Sequence, residues 1–144
     1  MSAESADAEL AQVERFEFRA SFPGAPYGPL IVDEGPPVGG DRGPNPVRTL
    51  ALAVGHCMSS TLVSTCERAH VAIQPVRTVV RATVGRNEKG RLRVQLLEVD
   101  LATAPRDAAD GDRFAHCVEI FPDYCTVSGA VRQGVTIAHR VVAP

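Results

Sequence analysis

The sequence lacks tryptophan altogether, and only seven of its 144 residues, two Tyr and five Phe, are aromatic. A chain of this length can bury roughly two thirds of the surface that it exposes when unfolded, which is enough for one core. Because 44% of the residues are apolar, that core must consist mainly of Val, Leu and Ala side chains. We therefore predict one aliphatic domain over residues 13–144, preceded by a flexible N-terminal tail over residues 1–12.

The chain also lacks an excess of positive charge, with 15 Lys and Arg against 17 Asp and Glu. This balance argues against a nucleic-acid backbone or an anionic membrane surface as its main partner. The first ten residues have neither the positive segment nor the apolar segment of a secretory signal. We expect a cytoplasmic location, where thiols are normally kept reduced and a disulfide is usually transient, catalytic or redox-sensing.

Metal and cofactor motifs are missing as well. The four cysteines contain no C-x-x-C pair, because Cys66 follows Cys57 by nine positions and Cys125 follows Cys117 by eight. That spacing does not suit structural zinc. The glycines of GGDRG match neither the dinucleotide-binding nor the P-loop motif. We expect neither a metal nor a cofactor.

Hydrophobic periodicity predicts an α+β fold. Alternating apolar residues indicate strands, a period of 3.6 indicates helices, and stretches rich in Gly and Pro separate them. A change of apolar phase between Leu96 and Leu97 predicts a β-bulge or a switch to burial on both faces. The predicted strands cover residues 15–22, 30–34, 76–84, 91–101 and 134–142, and the predicted helices cover residues 46–70, 110–121 and 123–133.

The first predicted helix is the longest. Asn45 is a suitable N-cap, and Pro46 suits the first helical position. Apolar side chains then occur around nearly the whole circumference, which predicts a central helix enclosed by the rest of the protein. Gly, His, Ser and Thr residues interrupt this helix too often for a membrane span.

Two of the four thiols are candidates for chemistry. Cys125 follows a suitable N-cap, Asp123, so the positive field of a helix N-terminus favours its thiolate. Cys57 lies three turns into the apolar helix, where it is either a small core residue or, if a basic group approaches it, a reactive thiol. Cys66 and Cys117 are expected to be inert.

Two segments, NPVRTLALAVGHCMSSTL and FPDYCTVSGAV, and the loop LIVDEGPPVGGDRGPNP resemble the osmotically inducible protein and organic hydroperoxide resistance family (OsmC/Ohr). The similar features are an Asn-Pro helix start ten to twelve residues before a cysteine, a late Cys-x-Val-Ser and a charged hairpin between them. The resemblance implies an α+β fold in which antiparallel sheets wrap around a long central helix in an intertwined homodimer.

The same resemblance implies thiol-dependent, peroxiredoxin-like reduction of organic hydroperoxides in defence against oxidative stress. Cys57 would be the peroxidatic thiol, which the hydroperoxide converts to a sulfenic acid, and Cys125 would resolve that acid as a disulfide. A dithiol reductant would then restore both thiols. The resemblance implies no cofactor.

The chain departs from the family pattern at the position after Asn-Pro. The peroxidase members carry a glutamate there, which orients an arginine against the reactive sulfur, whereas this chain has Val47. We expect Glu34 to stand in for that carboxylate. The arginine is expected at Arg19 on the first strand or at Arg42 in the loop; Arg48, nine residues before Cys57, would lie on the opposite side of the helix.

Two further hypotheses stay open. Val47 favours a non-catalytic OsmC-like protein that binds a small apolar ligand or senses oxidants at the dimer cleft. A structural module with buried, inert thiols predicts that Cys57 and Cys125 lie apart. Both redox hypotheses require sulfurs close enough to bridge, with Cα atoms within about 7 Å.

Overall fold

Two antiparallel sheets and three α-helices make up the computed structural model over residues 5–143, the part of the chain that it describes. The predicted α+β class is therefore confirmed. The chain divides into two compact units, Met1–Leu50 and Ala51–Pro144. The assignment of residues 13–144 to one domain stays a prediction.

The N-terminal unit contains a three-stranded sheet in the order β1-β2-β3. The strands are β1 (Glu9–Glu14), β2 (Glu17–Ser21) and β3 (Leu30–Val32). The sequence predicts a flexible tail that includes residues 9–12, whereas these residues lie in β1, antiparallel to β2. Every residue of β1 is exposed. Because no face of the strand is buried, its sequence lacks the regular alternation of apolar and polar residues that would predict a strand. Residues 1–4 of the predicted tail lie outside the described residues.

A buried carboxylate orders the Gly- and Pro-rich loop that follows β3. Asp33 accepts hydrogen bonds from the backbone N–H groups of Glu34 (2.8 Å), Gly40 (2.9 Å) and Arg42 (3.3 Å). Burial alone would raise the pKa of Asp33, but these bonds and the charge of Arg42 outweigh it, so the pKa lies below its ordinary value. The buried side chain of Asp33 therefore fixes the backbone conformation of this loop.

The long helix α1 (Pro46–Arg68) begins where the sequence predicts. The Asn45 side chain accepts a hydrogen bond from the Arg48 N–H at 2.9 Å, which confirms the N-cap. The helix is not enclosed as predicted, because its buried residues form one stripe and Leu52 on another face is 62% exposed. Apolar residues around the circumference show which faces of the helix could be buried. They do not show which of those faces the single chain buries. The stripe consists of Val54, Gly55, Met58, Leu62 and Cys66.

Length and composition alone would also allow α1 to cross a membrane, since its most apolar window has a mean hydropathy of 1.2. Core helices of water-soluble proteins reach the same value. Several hydroxyl side chains of α1 bond back to the helix, as Ser59 does to Gly55 and Thr61 to Cys57. These bonds satisfy the hydroxyl groups within the helix itself.

A long hairpin forms the sheet of the second unit. Strands β4 (Arg77–Arg86) and β5 (Leu92–Ala102) are antiparallel, and Asn87 caps the turn between them. Thr83 pairs with Leu96 and Val84 with Val94, so Gln95 is an extra residue in β5. The predicted bulge is confirmed, although it falls one position before the predicted point.

Two short helices and an irregular segment complete the chain. The helices are α2 (Gly111–Ile120) and α3 (Thr126–Gln133), with a 3₁₀ turn over Phe121–Tyr124 between them. The sequence predicts that the last helix begins after an N-cap at Asp123, but Asp123 lies in the 3₁₀ turn and Cys125 itself occupies the N-cap position of α3.

The predicted last strand, residues 134–142, is wrong for this chain. The segment after Gly134 is irregular, with Ile137 85% and Val141 99% exposed. A strand needs a partner strand to bond its backbone, and among residues 5–143 no strand pairs with this segment. The apolar residues of this segment are typical of a strand, but composition does not supply a partner strand.

Candidate active site

The second unit brings two thiols together. The Sγ atoms of Cys57 and Cys125 lie 3.1 Å apart. The two thiols are free and hydrogen-bonded to each other. Because a disulfide bond measures about 2.05 Å, they could bridge after a small movement. The hypothesis of a structural module, which requires these thiols to lie apart, is wrong on this point.

The two sulfurs reach this position from different elements. Cys57 lies three turns into α1, and Cys125 occupies the N-cap position of α3 without a side-chain capping bond. The backbone N–H of Val127, in the first turn of α3, donates a hydrogen bond to the Cys57 sulfur at 3.4 Å. The sequence predicts this positive helix terminus beside Cys125. In the structure a backbone N–H group of the same terminus also donates to the Cys57 sulfur.

The surroundings of Cys125 also favour ionisation. Burial by itself would raise the pKa of this thiol, but hydrogen bonds with Ser128, Cys57 and Thr61 outweigh burial, so its pKa lies below the ordinary value. The direction agrees with the sequence prediction. Its cause is mainly a set of hydrogen bonds to the sulfur.

Ser128 is a site residue that the sequence analysis missed. Its side chain is buried, and the Oγ atom makes no hydrogen bond of standard geometry in the described part of the chain. It does lie close enough to Cys125 to lower the pKa of that thiol. Because an unpaired buried hydroxyl costs about 1–3 kcal/mol, a thiolate at Cys125 would give this hydroxyl an acceptor. The signal was present in the Cys-x-Val-Ser motif, where Ser128 is the last residue.

Access differs between the two thiols. Cys125 is buried, whereas Cys57 is half-buried and lines a cleft of ≈ 430 Å³. Four hydroxyl-bearing residues of α1 form one wall of the cleft, and Arg68 and Tyr124 complete its lining. A small molecule in the cleft would therefore meet Cys57 first. The hydroxyl-bearing residues are Ser60, Thr61, Ser64 and Thr65.

Comparison with known families agrees with this geometry. The sequence profile of the family described as "OsmC-like protein" matches residues 39–140, which include both thiols and the whole of α1. The chain belongs to the OsmC-like family. Comparison with curated protein sequences gives no match.

Solved structures share the OsmC-like fold. An OsmC-like protein from Mycoplasma pneumoniae superposes with a TM-score of 0.74 and 11% identity, over 91% of this chain and 89% of the other. An OsmC-like protein of unknown function from Vibrio cholerae gives 0.72 and 12%, over 89% and 94%. An organic hydroperoxide resistance protein from Elizabethkingia anophelis gives 0.68 and 18%, over 91% and 90%. At these identities the likeness establishes the fold.

The OsmC-like chain carries its other predicted site residues in the N-terminal unit. Arg19 is exposed on β2, where it pairs in register with Ala11 and Ile31. Glu34 is half-buried at the start of the loop, and its carbonyl accepts a hydrogen bond from the Asp41 N–H. The roles of Arg19 and Glu34 beside Cys57 stay predictions.

The two alternative arginines of the OsmC-like chain are paired with carboxylates of the same unit. Arg42 lies 3.4 Å from the largely buried carboxylate of Glu17, and Arg48 lies 3.6 Å from Asp41. Among residues 5–143, Arg19 takes part in no such ion pair. Arg19 is thus the candidate whose charge these carboxylates do not neutralise.

Proposed function

We propose that this OsmC-like chain reduces organic hydroperoxides through Cys57 and Cys125, as part of the response to oxidative stress. The 3.1 Å separation of the two sulfurs, with Cys57 open to the cleft, is the observation that carries the proposal. Membership of the OsmC-like family and the fold shared with proteins named for organic hydroperoxide resistance support a redox role in stress.

The proposed reaction assigns the first step to the accessible sulfur. The Cys57 thiolate attacks the terminal oxygen of ROOH, the O–O bond breaks, and the alcohol ROH leaves as Cys57 becomes a sulfenic acid. The Cys125 thiolate then attacks the Cys57 sulfur, and water leaves as the disulfide forms. An external dithiol reduces the disulfide by exchange and is itself oxidised to a disulfide.

The residues around the pair have supporting roles in this proposal. The Val127 N–H stabilises negative charge on Cys57, and Ser128 does the same for Cys125. Arg19 is proposed as the activating arginine, and Glu34 as the carboxylate that orients it in place of Val47. The lack of a carboxylate partner for Arg19 among residues 5–143 favours it over Arg42.

The proposal includes a homodimer in the cytoplasm. The apolar residues that the single chain leaves exposed on β5 and after Gly134 give a second copy surface to bury, as Leu96 and Ile137 illustrate. A reducing compartment would supply the dithiol that the cycle requires.

A non-catalytic ligand-binding protein is the second candidate. Val47, which replaces the glutamate of the peroxidase members, is the feature that favours it. The cleft wall carries hydroxyl groups and Arg68, so a ligand there would need polar groups as well as an apolar body.

A turnover assay tests the proposed activity. Cumene hydroperoxide and dihydrolipoamide are mixed with the intact protein, Cys57→Ser, Cys125→Ser and the control Lys89→Ala, and peroxide loss is followed. We expect Cys57→Ser to lose activity by roughly 10³-fold or more, because it loses the attacking atom. Lys89→Ala, at the exposed hairpin turn away from the cleft, should stay within about threefold of the intact protein. Equal rates for the intact protein and Cys57→Ser would refute the proposal.

A further inference from the structure

A second pair of thiols lies in the same unit, outside the proposed reaction. Cys66 belongs to the last turn of α1 and Cys117 to the second half of α2. Their exposed fractions are 0% and 1%. The Cys117 sulfur lies 3.8 Å from the carbonyl oxygen of Thr65, the residue before Cys66. Cys117 is also the neighbouring thiol that acts on the pKa of Cys66. The fold therefore places two buried thiols next to each other on two helices.

We propose that Cys66 and Cys117 are a second disulfide-forming site, which covalently joins the end of α1 to α2 when the protein is exposed to oxidant for a long time. From the sequence both thiols are expected to be inert, and Cys66 is expected on the opposite side of α1 from Cys57. Their proximity to each other depends on the packing of α2 against α1, which the sequence does not reveal.

The oxidation balances with either of two classes of oxidant. With a small disulfide, one thiolate of the pair attacks it, one thiol leaves, and the second sulfur displaces the other. The pair loses two protons and two electrons, and the reagent becomes two thiols. With an organic hydroperoxide, the first sulfur is oxidised to a sulfenic acid as the alcohol leaves, and the second sulfur displaces water.

This second pair should react much more slowly than the first. Burial, and then the neighbouring Cys117 thiol, raise the pKa of Cys66 to about 11. At neutral pH about one molecule in 10⁴ would carry this thiolate, and the oxidant reaches the sulfur only when the helices part locally. Cys57, by contrast, is only half-buried and lines the cleft, so an oxidant can reach it directly. The Cys57–Cys125 pair should therefore be oxidised much faster than the Cys66–Cys117 pair.

The two pairs are also separated in space along α1. Cys66 follows Cys57 by nine positions, which is about 13.5 Å along a helix and half a turn around it. Direct exchange between the pairs within one chain would need sulfurs in contact, so each pair forms its disulfide independently. A Cys66–Cys117 bond closes a loop of 51 positions (117 − 66), and closing such a loop resists unfolding.

The test uses the double variant Cys57→Ser/Cys125→Ser, in which Cys66 and Cys117 are the only cysteines of the four. The variant is incubated for hours with oxidised dithiothreitol, or with cumene hydroperoxide, at several low urea concentrations. Intact mass and a non-reducing peptide map then identify the product. We expect a product with the mass of a single chain less two hydrogen atoms, in which the Cys66 and Cys117 peptides are linked. It should form faster as urea favours local opening.

Two further samples complete the experiment. Adding Cys117→Ser to the double variant should abolish the product, and the oxidised double variant should melt on the order of 5–10 °C above its reduced form. The intact protein, mapped in the same way, should show the Cys66–Cys117 link only after the Cys57–Cys125 link. Two alkylatable thiols after every treatment, or cross-links only between molecules, would overturn the proposal. Because the double variant lacks both proposed catalytic thiols, neither result depends on hydroperoxide turnover.

Discussion

Four cysteines with identical side chains differ in this protein because of the few atoms around each sulfur. Hydrogen bonds hold the pKa of Cys125 below its ordinary value, whereas burial and a second thiol raise that of Cys66. Cys57 combines a backbone N–H donor with access to the cleft. At the scale of single residues, reactivity therefore follows donors and access, neither of which is a property of cysteine itself.

Ser128 provides the residue-scale prediction. In Ser128→Ala the Cys125 thiolate loses a hydrogen bond, so its pKa should rise and the first transition in the thiolate absorbance should move to higher pH. Disulfide closure at neutral pH should slow by about fivefold, because a neutral hydrogen bond contributes about 1 kcal/mol. A pH titration by ultraviolet absorbance and quenched-flow alkylation measure the two effects.

The exposed neighbour Thr126 supplies the control. Thr126→Ala removes a hydroxyl in the same turn, and we expect it to leave both the titration and the closure rate unchanged. If Ser128→Ala titrates like Thr126→Ala, Ser128 does not stabilise the Cys125 thiolate.

Part of the site could be predicted at this scale. Cys57 and Cys125 follow from the Asn-Pro helix start, the late Cys-x-Val-Ser and the family resemblance. Ser128 could not be singled out, since its role depends on burial beside one sulfur. The donor from Val127 is a backbone group, which every non-proline residue carries, so only the packing of α3 against α1 reveals it.

Small residues allow helix α1 to pack closely against strand β4. Gly55 of α1 faces β4, and a Cβ atom there would lie 2.7 Å from Cγ2 of Val80. One turn further, the hydroxyls of Ser59 and Thr78 are 2.6 Å apart. The helix that carries Cys57 is thus placed on the hairpin by a glycine and a hydroxyl pair.

This contact gives the element-scale prediction. Gly55→Leu should reduce the free energy of unfolding by about 1–3 kcal/mol, because the new side chain overlaps a stiff valine in a close contact. Gly129→Ala in α3 is the matched control, since a Cβ there meets nothing within 4 Å. That change should stabilise the protein by about 0.5–1 kcal/mol through helix propensity. Urea unfolding followed by circular dichroism measures both, and equal shifts would contradict the assigned contact.

Elements with local signals were predictable, and those that depend on a partner were not. Asn45 and Pro46 fix the start of α1, and Asn87 fixes the hairpin turn, through bonds made within a few residues. By contrast, β1 forms because its backbone pairs with that of β2. The segment after Gly134 is irregular because no strand among residues 5–143 pairs with it. Pairing is a property of two segments, which one segment's composition does not determine.

At the scale of the whole molecule, exposed apolar surface is the feature that the single chain leaves unexplained. Leu92, Val94 and Leu96 of β5 are exposed, as are Val135, Ile137 and Val141 near the end of the chain. Clusters of this kind mark surfaces for association. The proposed homodimer would cover them.

The proposed homodimer predicts a mass of twice 15.3 kDa by light scattering. Leu96→Glu should weaken association by at least about tenfold, because a carboxylate would be buried without a partner. Lys89→Glu, which adds an acid at the exposed hairpin turn, is the control and should leave the mass unchanged. A monomeric intact protein, or equal masses for both variants at every concentration, would contradict the proposed interface.

The proposed reaction requires Cys57 and Cys125 to act together on a hydroperoxide. The most direct measurement adds one equivalent of cumene hydroperoxide to the reduced protein, followed by rapid alkylation, intact mass and a non-reducing peptide map. We expect prompt loss of two hydrogen atoms, one peptide link between Cys57 and Cys125, and no such link in Cys57→Ser. Thiols that survive many minutes of excess hydroperoxide, or a first disulfide that excludes Cys57, would contradict it.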